Sequence, residues 1–147
     1  MNTLEAEDYC ELIAIYNRKI SERLTEKKYK NAMKISRTID YKDGTANQAT
    51  DNTTEISTLE IMVDGEKINL PWPERWLKTY AYTLKKYGER YGQDWALTIR
   101  YRYNKGWEPT KTYVYQGISR RSFSDRRSAF LKMLAIYAVK NRLLPLE

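Results

Sequence analysis

Between Ser119 and Ser128 the chain sets Ser119, Arg120, Arg121, Ser122, Ser124, Asp125, Arg126, Arg127 and Ser128 within ten positions. An arginine guanidinium is a planar fork of donors, able to hold two acceptors at once on a phosphate or on the O6/N7 edge of guanine. Serine hydroxyls and a helix N-terminus can hold phosphate oxygens. These residue types together therefore point to an anionic partner, with duplex DNA as the class that uses all of them. For that chemistry the residues must share one face of a rigid element. The spacing predicts a helix from Ser119 to about Lys140, with Ser119 as its N-cap. Phe123, Phe130, Met133, Leu134 and Tyr137 make its apolar face, and Arg120, Arg121, Arg127 and Lys132, with Ser124 and Ser128, fill the opposite one.

Such a helix has a back that seats it on a scaffold and a front able to enter the major groove, which is about 12 Å wide. Ser119, Arg120, Arg121, Ser122, Ser124, Asp125 and Arg127 are the expected groove residues. Lys111, Tyr113, Arg126 and Ser128 are expected at phosphates. Placing Arg120 and Arg121 in a first turn opposes the helix dipole at a cost of a few tenths of a kcal/mol, which is consistent with a use for them. The alternative is an ordinary amphipathic surface helix.

The charge distribution agrees with an anionic partner for one half of the chain. The 147 residues carry a net charge of +7. Residues 74–147 hold 16 Lys/Arg against 6 Asp/Glu, or +10, whereas residues 1–73 hold 10 against 13, or −3. A basic surface raises the local concentration of nucleic acid and steers its approach.

Several chemistries are excluded. There is no histidine, so His-based triads, His general bases and His-ligated zinc sites are ruled out. The single cysteine, Cys10, cannot supply a multi-Cys metal site or an intramolecular disulfide, which fits a reducing cytoplasm. Carboxylates with a hard metal remain as nuclease chemistry. Glu60, Asp64 and Glu66, followed by Lys67, lie near one turn, where acidic residues are ordinarily surface residues. The reading is therefore of a non-enzyme that uses no cofactor and no metal. The N-terminus is acidic where a secretory leader needs a basic stretch, and no apolar run approaches the ~20 residues of a membrane span. A cytoplasmic protein without membrane contact is expected.

The remaining elements follow from periodicity. Tyr9, Ile13, Tyr16, Ile20 and Leu24 form one stripe of a helix from Leu4 to about Arg37. The stripe must pack on the body or on a second copy, and a weak homodimer is favoured over an obligate one. Residues 41–55, YKDGTANQATDNTTE, read as a flexible polar linker, because they cannot bury enough apolar surface to offset ordering entropy. Ile56 to Leu70 reads as a hairpin turning at Asp64-Gly65. Glu74 to about Gly88 returns to helix through Trp76, Tyr80 and Leu84, with Gly88 or Gly92 as the stop. Two readings of residues 95–116 stay open. Thr, Ile, Val and Tyr favour a hairpin closed at Asn104-Lys105-Gly106. The other reading is a helix ending near Asn104, a turn at Gly106 and a short helix after Pro109. Trp76, Trp95, Tyr80 and Tyr103 fall at core spacing and are expected to pack rather than to stack single-stranded bases.

Arg100-Tyr101-Arg102-Tyr103-Asn104-Lys105-Gly106, then Ile118-Ser119-Arg120-Arg121-Ser122-Phe123, then Arg126 and Leu131, resemble the helix-turn-helix of sigma-factor region 4. More specifically they resemble the phage late-gene regulators of the ArpU and RinA type. The resemblance covers about 45 residues at the C-terminus, and it implies helices over residues 95–116. Tyr113 stands where that pattern usually carries a small residue. The expected architecture is mainly α, with a C-terminal helix-turn-helix-like DNA-binding domain, a small β-hairpin and an N-terminal amphipathic helix. Its expected segments are 1–40, the linker 41–55 and the hairpin plus DNA-binding part 56–147. The expected role is sequence-specific binding of double-stranded DNA in transcriptional regulation, with RNA polymerase as a further candidate partner. A phage small terminase subunit, or another DNA-packaging protein, is the alternative.

Overall fold

The apolar stripe that predicts one long N-terminal helix is interrupted at Tyr16. The computed structural model describes residues 2–41 and 55–145, and in it two helices replace one. Helix α1 spans Thr3–Ile15 and α2 spans Asn17–Tyr41. Asn2 starts α1 with a reciprocal cap: its Oδ1 accepts from Glu5 N at 2.9 Å, and Glu5 Oε2 accepts from Asn2 N at 3.2 Å. The interruption has a side-chain cause. Asn17 Nδ2 donates to Ala14 O at 2.6 Å and to Tyr103 O at 3.0 Å, offering the backbone an alternative to an unbroken ladder.

The chain divides into two compact units, residues 1–18 with 75–147, and residues 19–74. The second unit joins most of α2 to a two-stranded antiparallel hairpin, β1 (Thr58–Val63) and β2 (Glu66–Pro71). Val63 pairs with Glu66, so the connection is the two residues Asp64 and Gly65, with φ of 50° and 81°. Both positions need left-handed backbone, which Asp tolerates and Gly adopts freely, so the Asp-Gly pair sets this register. Leu59 and Ile61 on β1 and Leu70 on β2 are buried. Lys19 and Lys27 donate to the carbonyls of Met62 and Thr58, at 3.2 and 2.9 Å. Residues 42–54, most of the expected linker, lie outside the described residues.

The first unit holds the C-terminal helices. Helix α3 (Pro73–Tyr91) enters this unit at Arg75; α4 (Gln93–Ile99) continues into a π-helical turn (Arg100–Asn104), and α5 (Pro109–Gln116) and α6 (Arg120–Lys140) follow. The 95–116 stretch is thus helical on either side of a turn at residues 105–108, against its local β propensity. Ala96, Ile99 and Tyr103 are buried at helical spacing, and Tyr80 OH donates to Asn104 Oδ1 at 2.5 Å. Tertiary burial outweighs a propensity scale that spans about 1 kcal/mol. Phe130 on α6 is the centre of an aromatic core. The rings of Tyr80 and Tyr87 meet it edge-on at 5.6 and 5.4 Å, and Tyr103 lies at 6.3 Å. Tyr87 OH donates to Arg126 O at 2.8 Å.

The protein is mainly helical with one small hairpin, as its periodicity predicts. Helix α1 packs on α6 and on the π-helical turn. Cys10, Ile13, Ala14, Ile20 and Leu24 are buried within the single chain, and Tyr9 lies 5.4 Å from Trp76. Of the expected stripe, Ile13, Ile20 and Leu24 are thus buried and Tyr16 is half-buried. No helix among the described residues is long and apolar enough to cross a membrane.

Burial disfavours the charged form of several of these groups and holds them protonated. The Cys10 thiol moves from its ordinary 9.0 up to about 12. The phenols of Tyr80, Tyr87 and Tyr103 rise from 10.0, again through burial first. The folded chain thus holds these protons more tightly than the unfolded chain. Their contribution is complete below about pH 9 and is lost as pH rises towards 12. Urea midpoints measured across that interval should fall steadily, and a flat profile would contradict the burial of these groups.

Candidate functional site

Helix α5 ends at Gly117, whose φ of 67° and ψ of 31° are left-handed. Gly117 N donates to Val114 O at 3.1 Å and Ile118 N donates to Tyr113 O at 3.0 Å, closing the helix end in a tight turn. Ser119 then caps α6, its Oγ accepting from Ser122 N at 3.0 Å. Gly117, Ile118 and Ser119 thus join an eight-residue helix to a 21-residue one. Short turns of this kind, often containing glycine, are typical of helix-turn-helix units. The α5 side chain that is fully buried is Thr112, not Tyr113. Tyr113 is half-buried with its ring 6.0 Å from Phe123.

The structure sorts the sequence-predicted residues into two groups. Ser119, Arg120, Arg121, Ser124 and Asp125 are exposed together on the first turns of α6, with Ser122 half-buried beside them. Lys111 is exposed on α5, its ammonium 4.3 Å from the Trp107 ring centroid. Ser128 is half-buried, one turn further along α6.

Arg126 and Arg127 turn the other way. Arg127 Nη1 lies 2.5 Å from Glu11 Oε2 on α1, and the same carboxylate oxygen accepts from Tyr103 OH at 3.2 Å. Burial alone would lower the Arg127 ionisation, but the Glu11 carboxylate and Tyr103 more than offset this and raise it. Arg126 is 11% exposed at its side chain. It donates to Thr98 Oγ1 at 3.0 Å and lies 5.3 Å over the Trp95 ring, with the Asp94 carboxylate at 3.7 Å. Thr98 Oγ1 in turn donates to Gln116 Oε1 at 2.6 Å, which ties α4 to α5. These two arginines fasten α6 to α1 and α4. They are not presented with Arg120 and Arg121.

Two features were not singled out from sequence. An open groove of about 570 Å³ between α3 and α6 is edged by Arg90, Lys132 and Lys140. It becomes visible only once α3 packs on α6. The second is a surface aromatic cluster. Tyr101 and Trp107 stack at 4.7 Å, Tyr115 meets both edge-on, and Lys105 lies 5.3 Å from the Tyr101 ring. Its signal in the sequence is the alternation of Tyr and Trp with Lys over residues 101–115.

The hairpin carboxylates form no candidate centre. Glu60 pairs with Lys67 at 3.5 Å, and Asp64 and Glu66 are exposed. Among the described residues no group of three or more Cys, Asp and Glu is placed to hold a metal ion.

The inward and outward arginines should separate in stability. Arg127→Ala strips the half-buried Glu11 carboxylate of its cation and should cost about 1–2 kcal/mol. Arg121→Ala removes an exposed side chain and should stay within about 0.5 kcal/mol. Urea unfolding of both variants checks this, and equal losses would contradict the assignment. No family model, curated protein or solved structure matches the chain, so the site is read from its own residues.

Proposed function

We propose that this protein binds double-stranded DNA, in a sequence-specific way, by placing the first turns of α6 in the major groove, and that it regulates transcription. One observation carries the reading: the short α5–α6 turn holds Ser119, Arg120, Arg121, Ser124 and Asp125 out together, while Arg126 and Arg127 anchor the same helix from behind. A base-reading helix needs a held back and a free first turn, and geometric precision at its tip comes from the former. The concentration of positive charge in residues 74–147 supports the same partner. So does the resemblance of residues 100–131 to the phage late-gene regulators. Arg120 and Arg121 are the candidates for guanine, with Lys111 and Ser128 at phosphates and Tyr113 beside them at the α5 end.

The full chain should retard duplex DNA at low salt, with an affinity that falls steeply as salt rises. On a site selected from a random-sequence pool, Arg121→Ala should cost about 1–3 kcal/mol and relax base preference. Lys111→Ala should weaken selected and random duplexes alike and lower the salt slope by about one. Absence of any retardation at low salt, or equal effects of both changes on both duplexes, would overturn the reading.

A further inference from the structure

We infer that one phosphate strand of the duplex lies along the groove between α3 and α6, an inference that rests on the duplex-binding reading above. The surface is continuous with the exposed tip of α6. Arg121, Asp125, Ser128 and Lys132 follow one another at three- and four-residue steps, so they share one face of the helix. Asp125, Ser128 and Lys132 line the groove, and Arg90 faces them from α3. Beyond Tyr137 and Lys140 a second hollow of about 810 Å³ continues the track and adds Lys78.

Among the described residues, the cations along the two hollows share the unpaired state of Arg120 and Arg121 and differ in this from three others on α3 and α6. Lys86 is paired with Glu89, Arg126 with Asp94 and Arg127 with Glu11. Lys78, Arg90, Lys132 and Lys140 have no carboxylate partner among the described residues. Two of them rest on rings, Arg90 at 5.4 Å from Tyr91 and Lys140 at 5.5 Å from Tyr137. A cation kept over a ring is positioned without being neutralised. Asp125 is the single acidic group lining either hollow.

The spacing suits a nucleic-acid strand. Lys132 and Lys140 are separated by eight residues of helix, about 12 Å, and each strand of duplex DNA carries a phosphate every ~3.4 Å along its axis. A strand running there would meet Arg90 and Lys132 first and Lys140 and Lys78 further on. Ile136, 57% exposed on the same face, would meet the apolar faces of the sugars. An acidic polypeptide is the competing occupant of such a surface, and the experiment separates the two.

The test uses the full chain, the selected duplex and a random duplex. Arg90→Gln and Lys132→Gln each remove one cation from an exposed position and should each lower the salt slope by about one. Each should weaken both duplexes by on the order of tenfold at 0.1 M salt, with the base preference unchanged. Lys140→Gln provides an independent third variant with the same expected slope change. A wild-type chain that retards no duplex sinks the DNA reading itself. A wild type that binds, with variants of unchanged slope, overturns the groove assignment and leaves the DNA reading standing. Loss of base preference in the groove variants overturns it as well. So does an unchanged DNA slope together with lost binding of poly-glutamate, which would assign the groove to an acidic polypeptide.

Discussion

The rotation of α6 about its own axis is the constraint on which the rest depends. A helix carrying Arg120, Arg121, Arg126, Arg127, Lys132 and Lys140 has cations on nearly every side, and only its phase decides which of them meet solvent. Three independent ties set that phase. Phe130 sits fully buried among Tyr80, Tyr87 and Tyr103. Tyr87 OH donates to the Arg126 carbonyl. Arg127 reaches the Glu11 carboxylate on α1. A half-turn rotation would bury Arg121 and expose Phe123, which is unfavourable on both counts.

That phase divides the arginine-rich segment into an anchor and a tip. Glu11 and Asp94 neutralise the arginines facing inward, while the first-turn cations stay unneutralised despite an unfavourable helix dipole. The Gly117 turn and the Ser119 cap fix where the tip begins. The α5 helix that precedes it is held by the Thr98–Gln116 bond and by buried Thr112. The proposed DNA contact and the proposed phosphate track are two consequences of this one division, at the tip of α6 and along its flank.

The locally encoded features were legible in the sequence. The Ser119 cap, the apolar face of α6, the Asp64-Gly65 turn and a glycine stop at Gly88 or Gly92, the second of which follows the observed end of α3, all rest on residue types acting within a few positions. The long-range features were not. Arg127 finds its carboxylate 116 residues away and Arg126 its hydroxyl 28 away, so nothing in the segment marked them as anchors. The break at Tyr16 depends on Asn17 bonding to Tyr103, 86 residues on. Residues 95–116 carried two conflicting signals. Thr, Ile, Val and Tyr argued for strands, yet the spacing of Ala96, Ile99 and Tyr103 at three and four was helical, and the core rewards the second pattern. The groove between α3 and α6 has no linear signature, since its two walls are some 40 residues apart in the chain.

Backbone amide shifts of the full chain, followed by NMR during titration with a duplex selected from a random-sequence pool, test the central claim most directly. The account predicts that the largest changes run from Gly117 to Asp125, while the buried amides around Phe130 and the hairpin residues 58–71 stay close to their free positions. Changes centred on the hairpin or on the Tyr101–Tyr115 cluster, with the first turns of α6 unmoved, would contradict it.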